Sequence, residues 1–482
     1  MRATLCFVVM MVSASIASAI DRFPYVENLP GYSIEVIADG LPQRLGDAEI
    51  APVHFGSHGG DLFVGYPGHP SVIGDGLVLR IDLPTGTVST FAGPSDLVGD
   101  PNFLEFDPQG GGFPPGLYCN SNKDPQNLGK GLLSLIDAAG TASMFAWCSP
   151  PGDAHFYGGP DMAFSLGGAF GTNIFSGCSG GYQGDCISYV SSSAGFVQVL
   201  HGFGTPIHGG SPFGMVFGHG QSGFGTDLYW VCHHDPALAG IEAGIYVCDA
   251  AGSRSPFVTV SMDSRLAAPF DLEWGPGGAF GDDLYVSEWR GDWTNLGGDV
   301  YRIDSAGVPT RIIAELDMPK GLAFDGTDAL YVADESFNAN GGKVYKLGVC
   351  PGAAQRYGSG CAGTGGFVPN LFLQGCPTPG GTVTLTVDGG LGGAVAVLFL
   401  GLQTANIPMQ PSCELLITPI LPASVSFPLI QGGAGPGEGR MAIPAVIPAG
   451  VPAVALTAQL FTNDPATAEN YANSNAIEFT IQ

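Results

Sequence analysis

One phrase, a glycine-rich turn running into a short apolar strand, returns six times along this 482-residue chain. It reads GSHGGDLFVGYP at 56–67, GGGFPPGLYCNS at 110–121, GGAFGTNIFSGC at 167–178, QSGFGTDLYWVC at 221–232, GGAFGDDLYVSE at 277–288 and GTDALYVADES at 326–336. The strands begin at Leu62, Leu117, Ile174, Leu228, Leu284 and Leu330, in steps of 55, 57, 54, 56 and 46 residues. A fixed period of this size marks a chain built from stacked supersecondary units, none of which buries its apolar surface alone.

Each phrase follows an apolar run that ends, on aligning the repeats, at Phe55, Phe106, Phe164, Phe217, Trp274 or Phe324. Most are followed by a second strand and turn, as in LVLRIDLPTG at 77–86 and DVYRIDSAG at 299–307, and then by a fourth strand such as Thr310 to Ala314. Four short strands per repeat predict an all-β protein: a six-bladed β-propeller over residues 20–348. The sixth repeat lacks a fourth strand, and the alternating segment Tyr32 to Ala38 precedes the first, so the N-terminal strand is expected to close the last blade. From Val349 the repeat stops, and residues 349–482 read as a small β-sandwich. The 76 glycines and 38 prolines argue against a mostly helical fold, while 45% hydrophobic residues suffice for a core.

The phrases MPKGLAFDGTDALYVADES and GGDVYRIDSAG resemble the repeats of NHL-type six-bladed propellers and of the gluconolactonase-like superfamily of exported proteins. In the tail, YGSGC, an aliphatic run ending in LG, CELL and a terminal NSNAIEFTI are together similar to an uncharacterised C-terminal module of large exported bacterial proteins. The first resemblance implies an axial pocket and, in its enzymes, Ca²⁺ held through oxygen ligands. The second brings no known chemistry.

The leader MRATLCFVVMMVSASIASA, residues 1–19, has a basic start, an apolar run and a small-residue end, which predicts a signal peptide cut near Ala19 and an exported chain. No later stretch is long and apolar enough to predict a membrane span. Ten cysteines remain after the leader, an even set that favours disulfides in an oxidising compartment. Staples within a blade predict Cys119–Cys148, Cys178–Cys186 and Cys232–Cys248. The four tail cysteines allow three connectivities, of which Cys350–Cys376 with Cys361–Cys413 is preferred.

The formal net charge is −27, and most of it belongs to the repeats, with 37 acids against 13 bases, whereas the tail has six against two. Such a surface excludes a phosphate-backbone binder and with it nucleic-acid partners. It suits solubility, a cationic partner or Ca²⁺.

Loops at one end of the propeller are expected to carry function. They contain His155, His208, Glu288, Trp289, Trp293 and Lys320, which are candidate ligand contacts, the tryptophans for stacking on a sugar ring. Aligning the apolar runs on their terminal aromatics puts Pro52, Phe103, Asp161, Gly214, Asp271 and Gly321 in one column. If that column faces the axis, Asp161 and Asp271 with Glu49 or Asn102 are candidate metal ligands; alternatively the two aspartates accept backbone N–H bonds at strand starts. The GxSxG match at 177–181 lacks the helix of a nucleophile elbow, and the GxGxxG match at 358–363 lacks a βαβ unit. With no complete catalytic set, the sequence favours an exported binding or interaction protein with an extracellular ligand or protein partner. The alternatives are a Ca²⁺-dependent hydrolase or lactonase of the gluconolactonase-like type and, behind it, a quinoprotein sugar dehydrogenase.

Overall fold

The computed structural model describes residues 24–482 apart from 69–74, 96, 100, 110, 122–131, 148–160, 179–185, 194–197, 203–211, 233–241, 290–296, 327, 337–340, 410–412, 421–428 and 431. The chain is nearly all β and divides into two compact units, Val36–Lys346 and a second made of Leu347–Gln482 with the described residues up to Glu35.

Six antiparallel sheets, one per repeat, make up the first unit. Their first strands are Ala48–Ile50, Pro101–Phe106, Met162–Leu166, Pro212–Phe217, Pro269–Trp274 and Met318–Phe324. Each pairs with the strand of the recurring phrase, which pairs in turn with a third strand. The register repeats too: Ile50, Phe106, Phe217, Trp274 and Phe324 end their strands opposite Leu62, Leu117, Leu228, Leu284 and Leu330, and Phe164, just before its strand ends at Leu166, stands opposite Ile174. In the sixth sheet the outer place is taken by Tyr32–Leu41, beside Gly342–Val349.

The first repeat departs from the sequence alignment. Ile50 occupies the place assigned to Phe55, because residues 51–61 form a loop with a 3-10 turn at Gly56–His58 before the second strand begins. Phe55 is a core aromatic all the same, edge-on to Phe63 and Phe106, which explains how it imitates a strand end. The correct column therefore reads Asp47, Phe103, Asp161, Gly214, Asp271 and Gly321, with Asp47 replacing Pro52.

Strand alternation gives every sheet two apolar faces, each of which meets a neighbour. Phe63 and Val78 of the first sheet pack with Leu104 and Leu117 of the second. Tyr118 and Leu133 of the second meet Met162 and Ile174 of the third, and Phe175 of the third meets Met215 and Trp230 of the fourth. Val231 and Ile245 continue onto Leu272 and Val286 of the fifth sheet, whose Tyr285 stands edge-on to Phe324 of the sixth. Tyr331 and Val344 of the sixth share a core with Leu62 and Leu79 of the first. The first strands also lie side by side in that order, with the sixth beside the first.

Glycine is required where first strands approach most closely. A Cβ on Gly321 would come within 2.2 Å of the Ala48 nitrogen and 2.5 Å of the Asp47 carbonyl carbon, and both obstacles are backbone.

In the second unit, the sheet of Asn370–Gln374, Thr382–Leu391 and Pro436–Val446 faces a sheet containing Val395–Gly401, Val454–Asn463 and Tyr471–Ile481. They enclose one core around Leu385, Leu398, Ile443, Leu460 and Phe479. The segment before Glu35 joins this unit because its carbonyls are used there: Gly31 accepts from Cys350 N–H and Ile34 from Gly375 N–H. Tyr25 packs on Phe372 with the Arg356 guanidinium over its ring.

Cys350–Cys376 and Cys361–Cys413 are bonded. Cys178 stands opposite Cys186 in the ladder, and Cys148, the expected partner of Cys119, lies outside the described residues. The pairing Cys232–Cys248 is not formed. Cys232 faces Gly244 and Cys248 faces Leu228, at opposite ends of the same antiparallel pair. Four residues of strand separate them by about 13 Å, well beyond the span of a disulfide.

Two outcomes follow from this packing. Gly321→Ala should lower unfolding stability by about 3 kcal/mol in a urea titration, since the new methyl meets rigid backbone. The Cys248 thiol, buried and pushed up to about 11, should resist alkylation in the folded protein and react in guanidine without reductant, as read by mass spectrometry.

Candidate functional site

The first strands bring six carboxyl groups together. Three are aspartates on alternate sheets, and each joins its own strand to the next. Asp47 accepts the Ala48 N–H at 2.7 Å and the Leu104 N–H at 3.0 Å. Asp161 accepts from Met162 and Met215, both at 2.7 Å. Asp271 accepts from Leu272 at 2.8 Å and Leu322 at 2.7 Å. One oxygen holds the local strand start and the other crosses to the neighbouring sheet. The partner sheets carry Phe103, Gly214 and Gly321 at the equivalent position.

Two residues further along lie Glu49, Glu105 and Glu273, which keep partial exposure. Burial raises all six carboxyls, and mutual repulsion adds to it for most. Asp47 is held well above the usual range by burial and then by Asp271 and Asp161, and Asp161 by burial, Asp271 and Glu105. Glu49 is raised by burial, Glu105 and Glu273; Glu273 by burial, Asp271 and Glu105. Glu105 is pushed up to about 8 and Asp271 to about 7, burial being the first cause in both. The main-chain N–H groups of Leu322 and Leu272 pull Asp271 back down.

A second cluster forms where these strands begin. Phe270 stacks on Phe103 at 5.2 Å between centroids, and Phe213 lies 5.4 Å from Phe270. The Lys320 ammonium is 5.2 Å from the Phe270 centroid and 5.4 Å from that of Trp289, and it is ion-paired with Glu335. Glu288 uses one carboxylate oxygen to accept the Ala268 N–H at 2.6 Å. Ser287 links the two clusters, accepting the Asp271 N–H and donating to the Lys320 carbonyl. Asp334 accepts the main-chain N–H groups of Asp317 and Met318, and burial followed by the charge of Asp317 pushes its carboxyl to about 8.

Of the residues singled out in the sequence, Trp289 and Lys320 are in contact and Glu288 adjoins them. His155, His208 and Trp293 lie outside the described residues. Among the metal candidates, Glu49, Asp161 and Asp271 belong to the carboxyl cluster, and Asn102 contributes its carbonyl, which accepts the Asp47 N–H. Every oxygen of Asp161 and Asp271 accepts a main-chain N–H, as the alternative reading of the two aspartates expects, and among the described residues no three His, Cys, Asp or Glu side chains converge on a metal position. The sequence reading missed Asp47, Glu105 and Glu273. The paired spacing in Asp47-Ala48-Glu49 and Asp271-Leu272-Glu273 was the available signal for Asp47 and Glu273.

No protein-family model matches the chain, and no curated protein matches it. Among solved structures, one described under two prolyl endopeptidases is similar at a TM-score of 0.32 and 12% identity, over 75% of this chain and 48% of that one. This chain thus spans about half the length of that relative, and a likeness at that level carries no argument about activity. Among the described residues no helix is long and apolar enough to cross a membrane, and the two tail disulfides fit an oxidising compartment.

The Lys320–Glu335 pair is enclosed, with side chains 8% and 10% exposed, so a lone charge left there has little water to turn to. Lys320→Ala should cost about 3 kcal/mol in urea unfolding, whereas Lys320→Met combined with Glu335→Gln should cost less than the single change.

Proposed function

We propose that the six sheets are the blades of a closed β-propeller, that the second unit is a β-sandwich tail, and that the chain is an exported binding or interaction protein. The cyclic order of apolar contacts, from the first sheet to the sixth and back, supports closure. One observation favours binding over hydrolysis: the carboxylates that a Ca²⁺-dependent lactonase needs as ligands are engaged by main-chain N–H groups and serve as strand connectors. A centre occupied in this way is a scaffold, and the surfaces left for a partner are the loops at the Lys320 end. There Trp289, partly exposed beside the enclosed Lys320 and Glu288, is the proposed ligand contact, and the sequence adds His155, His208 and Trp293 as candidates. The acidic repeats add a long-range pull on cationic partners.

The test is a screen of the chain from Ile20 onward against lactones and sugar substrates, with Ca²⁺ and with a chelator, beside a calcium titration by calorimetry. The expected result is no Ca²⁺-dependent turnover and no saturable Ca²⁺ uptake at the aspartates. Turnover that requires Ca²⁺ and disappears in Asp161→Ala would overturn the reading in favour of the hydrolase.

A further inference from the structure

The outer face of an antiparallel sheet that meets water is ordinarily polar, because alternate residues along each strand point away from the core. In the second unit the strand Val395–Gly401 keeps the alternation without the polarity. Ala396, Leu398 and Leu400 belong to the core, while the intervening Val395, Val397 and Phe399 are apolar as well and keep part of their surface exposed. On the neighbouring strand Phe461 lies 5.3 Å from Phe399 between ring centroids, and Tyr471 of the strand beyond lies 5.7 Å from Phe461. These three rings line a cleft of about 470 Å³. Met409, Leu415 and Ile420, in and beside the hairpin of Gln403–Pro408 and Glu414–Thr418, line it too.

The walls of this cleft are fixed by bonds of their own. Asp464 holds the turn that carries Glu469 and Asn470: its carboxylate accepts the Thr364 N–H and hydroxyl and the Ala466 N–H, and its main-chain N–H donates to the Asn470 carbonyl. Gln459 ties the hairpin to the sheet, accepting the Leu416 N–H at 2.9 Å and donating to the Glu414 carbonyl at 3.0 Å. The Cys361–Cys413 disulfide pins the start of the same hairpin strand. A preformed apolar cleft of this size with a few polar groups has the proportions of a small-molecule site, and its rigidity spares a ligand the cost of ordering it. Glu469 is the charged residue of the lining. Neither arginine of the tail answers it, since Arg356 is engaged with Glu27 and Asn370 and Arg440 with Asp388.

We propose that this cleft binds a small cationic amphiphile, with an apolar chain or ring on Phe399, Phe461 and Tyr471 and a basic amine toward Glu469. Its volume suits a small molecule rather than a folded partner. An acidic head would be repelled by Glu469, and a neutral one would leave that carboxylate without a counter-charge beside apolar surface. An amine supplies the counter-charge and is also drawn to the faces of the neighbouring rings. The site lies wholly within the second unit, so it stands or falls independently of the loops at the Lys320 end.

The experiment titrates the full exported chain at neutral pH with the neutral fluorescent probe N-phenyl-1-naphthylamine. The bound probe is then displaced with dodecylamine, dodecanol or dodecanoate, each kept below the concentration at which it forms micelles. The probe should bind saturably, and dodecylamine should displace it at roughly one-fifth the concentration that dodecanol needs, with dodecanoate weaker than both. Val397→Trp, which fills the cleft from a position off the core face of its strand, should abolish probe binding while circular dichroism shows the fold retained. Glu469→Gln, in a surface turn, should keep probe binding and erase the advantage of the amine over the alcohol. Absence of saturable binding to the unaltered protein, probe binding that survives in folded Val397→Trp, or an amine no better than the alcohol would overturn the proposal. An amine advantage that persists in Glu469→Gln would also sink it, by tracing the preference to the negative charge of the whole chain. The Glu469→Gln comparison keeps the test decisive even where Val397→Trp fails to fold.

Discussion

The structure depends on a short hydrogen bond made three times, from the main-chain N–H of one sheet's first strand to an aspartate on the sheet before it. Leu104, Met215 and Leu322 are the donors. First strands of neighbouring sheets share no ladder, so their N–H groups at these positions need another acceptor, and a buried donor left unmatched costs about 1–3 kcal/mol. Placing one aspartate on every second sheet supplies acceptors to three junctions. The intervening positions are taken by two glycines and a phenylalanine, and Gly214 and Gly321 lie where the backbone of the next sheet leaves no room for a side chain. Carboxylate, glycine and close strand approach are one device.

Each oxygen of Asp47, Asp161 and Asp271 accepts a main-chain N–H, so these side chains are engaged in holding neighbouring strands. The polar chemistry near the strand starts is likewise internal, since Lys320 meets Glu335 and Glu288 meets Ala268.

The sheets were legible in the sequence because their register is carried by a repeated leucine or isoleucine opposite a repeated terminal residue, which periodicity exposes directly. The carboxyl cluster was only half legible. An inserted loop places Phe55 where an aromatic is expected and moves the true strand end back to Ile50, which hid Asp47 and the alternation of the aspartates. Cys232 and Cys248 look adjacent from their loop spacing, but antiparallel register sends them to opposite ends of their ladder. The tail cysteines were paired correctly because each lies beside a strand or loop that the module's own core draws together. The union of Pro24 to Glu35 with the tail had no sequence signal, since it rests largely on main-chain carbonyls, which every residue possesses.

The union of the two chain ends has a consequence for synthesis. The strand Tyr32–Leu41 pairs with Gly342–Val349, and the carbonyls of Gly31 and Ile34 await Cys350 and Gly375. A ribosome or an export channel delivers the first of these segments more than 300 residues before its partners. The strand Tyr32–Leu41 therefore waits for partners made much later, and the first sheets cannot be closed by the sixth before Gly342–Val349 has been made. Any factor that guards the chain during synthesis has to hold Tyr32–Leu41 open until Gly342–Val349 has followed.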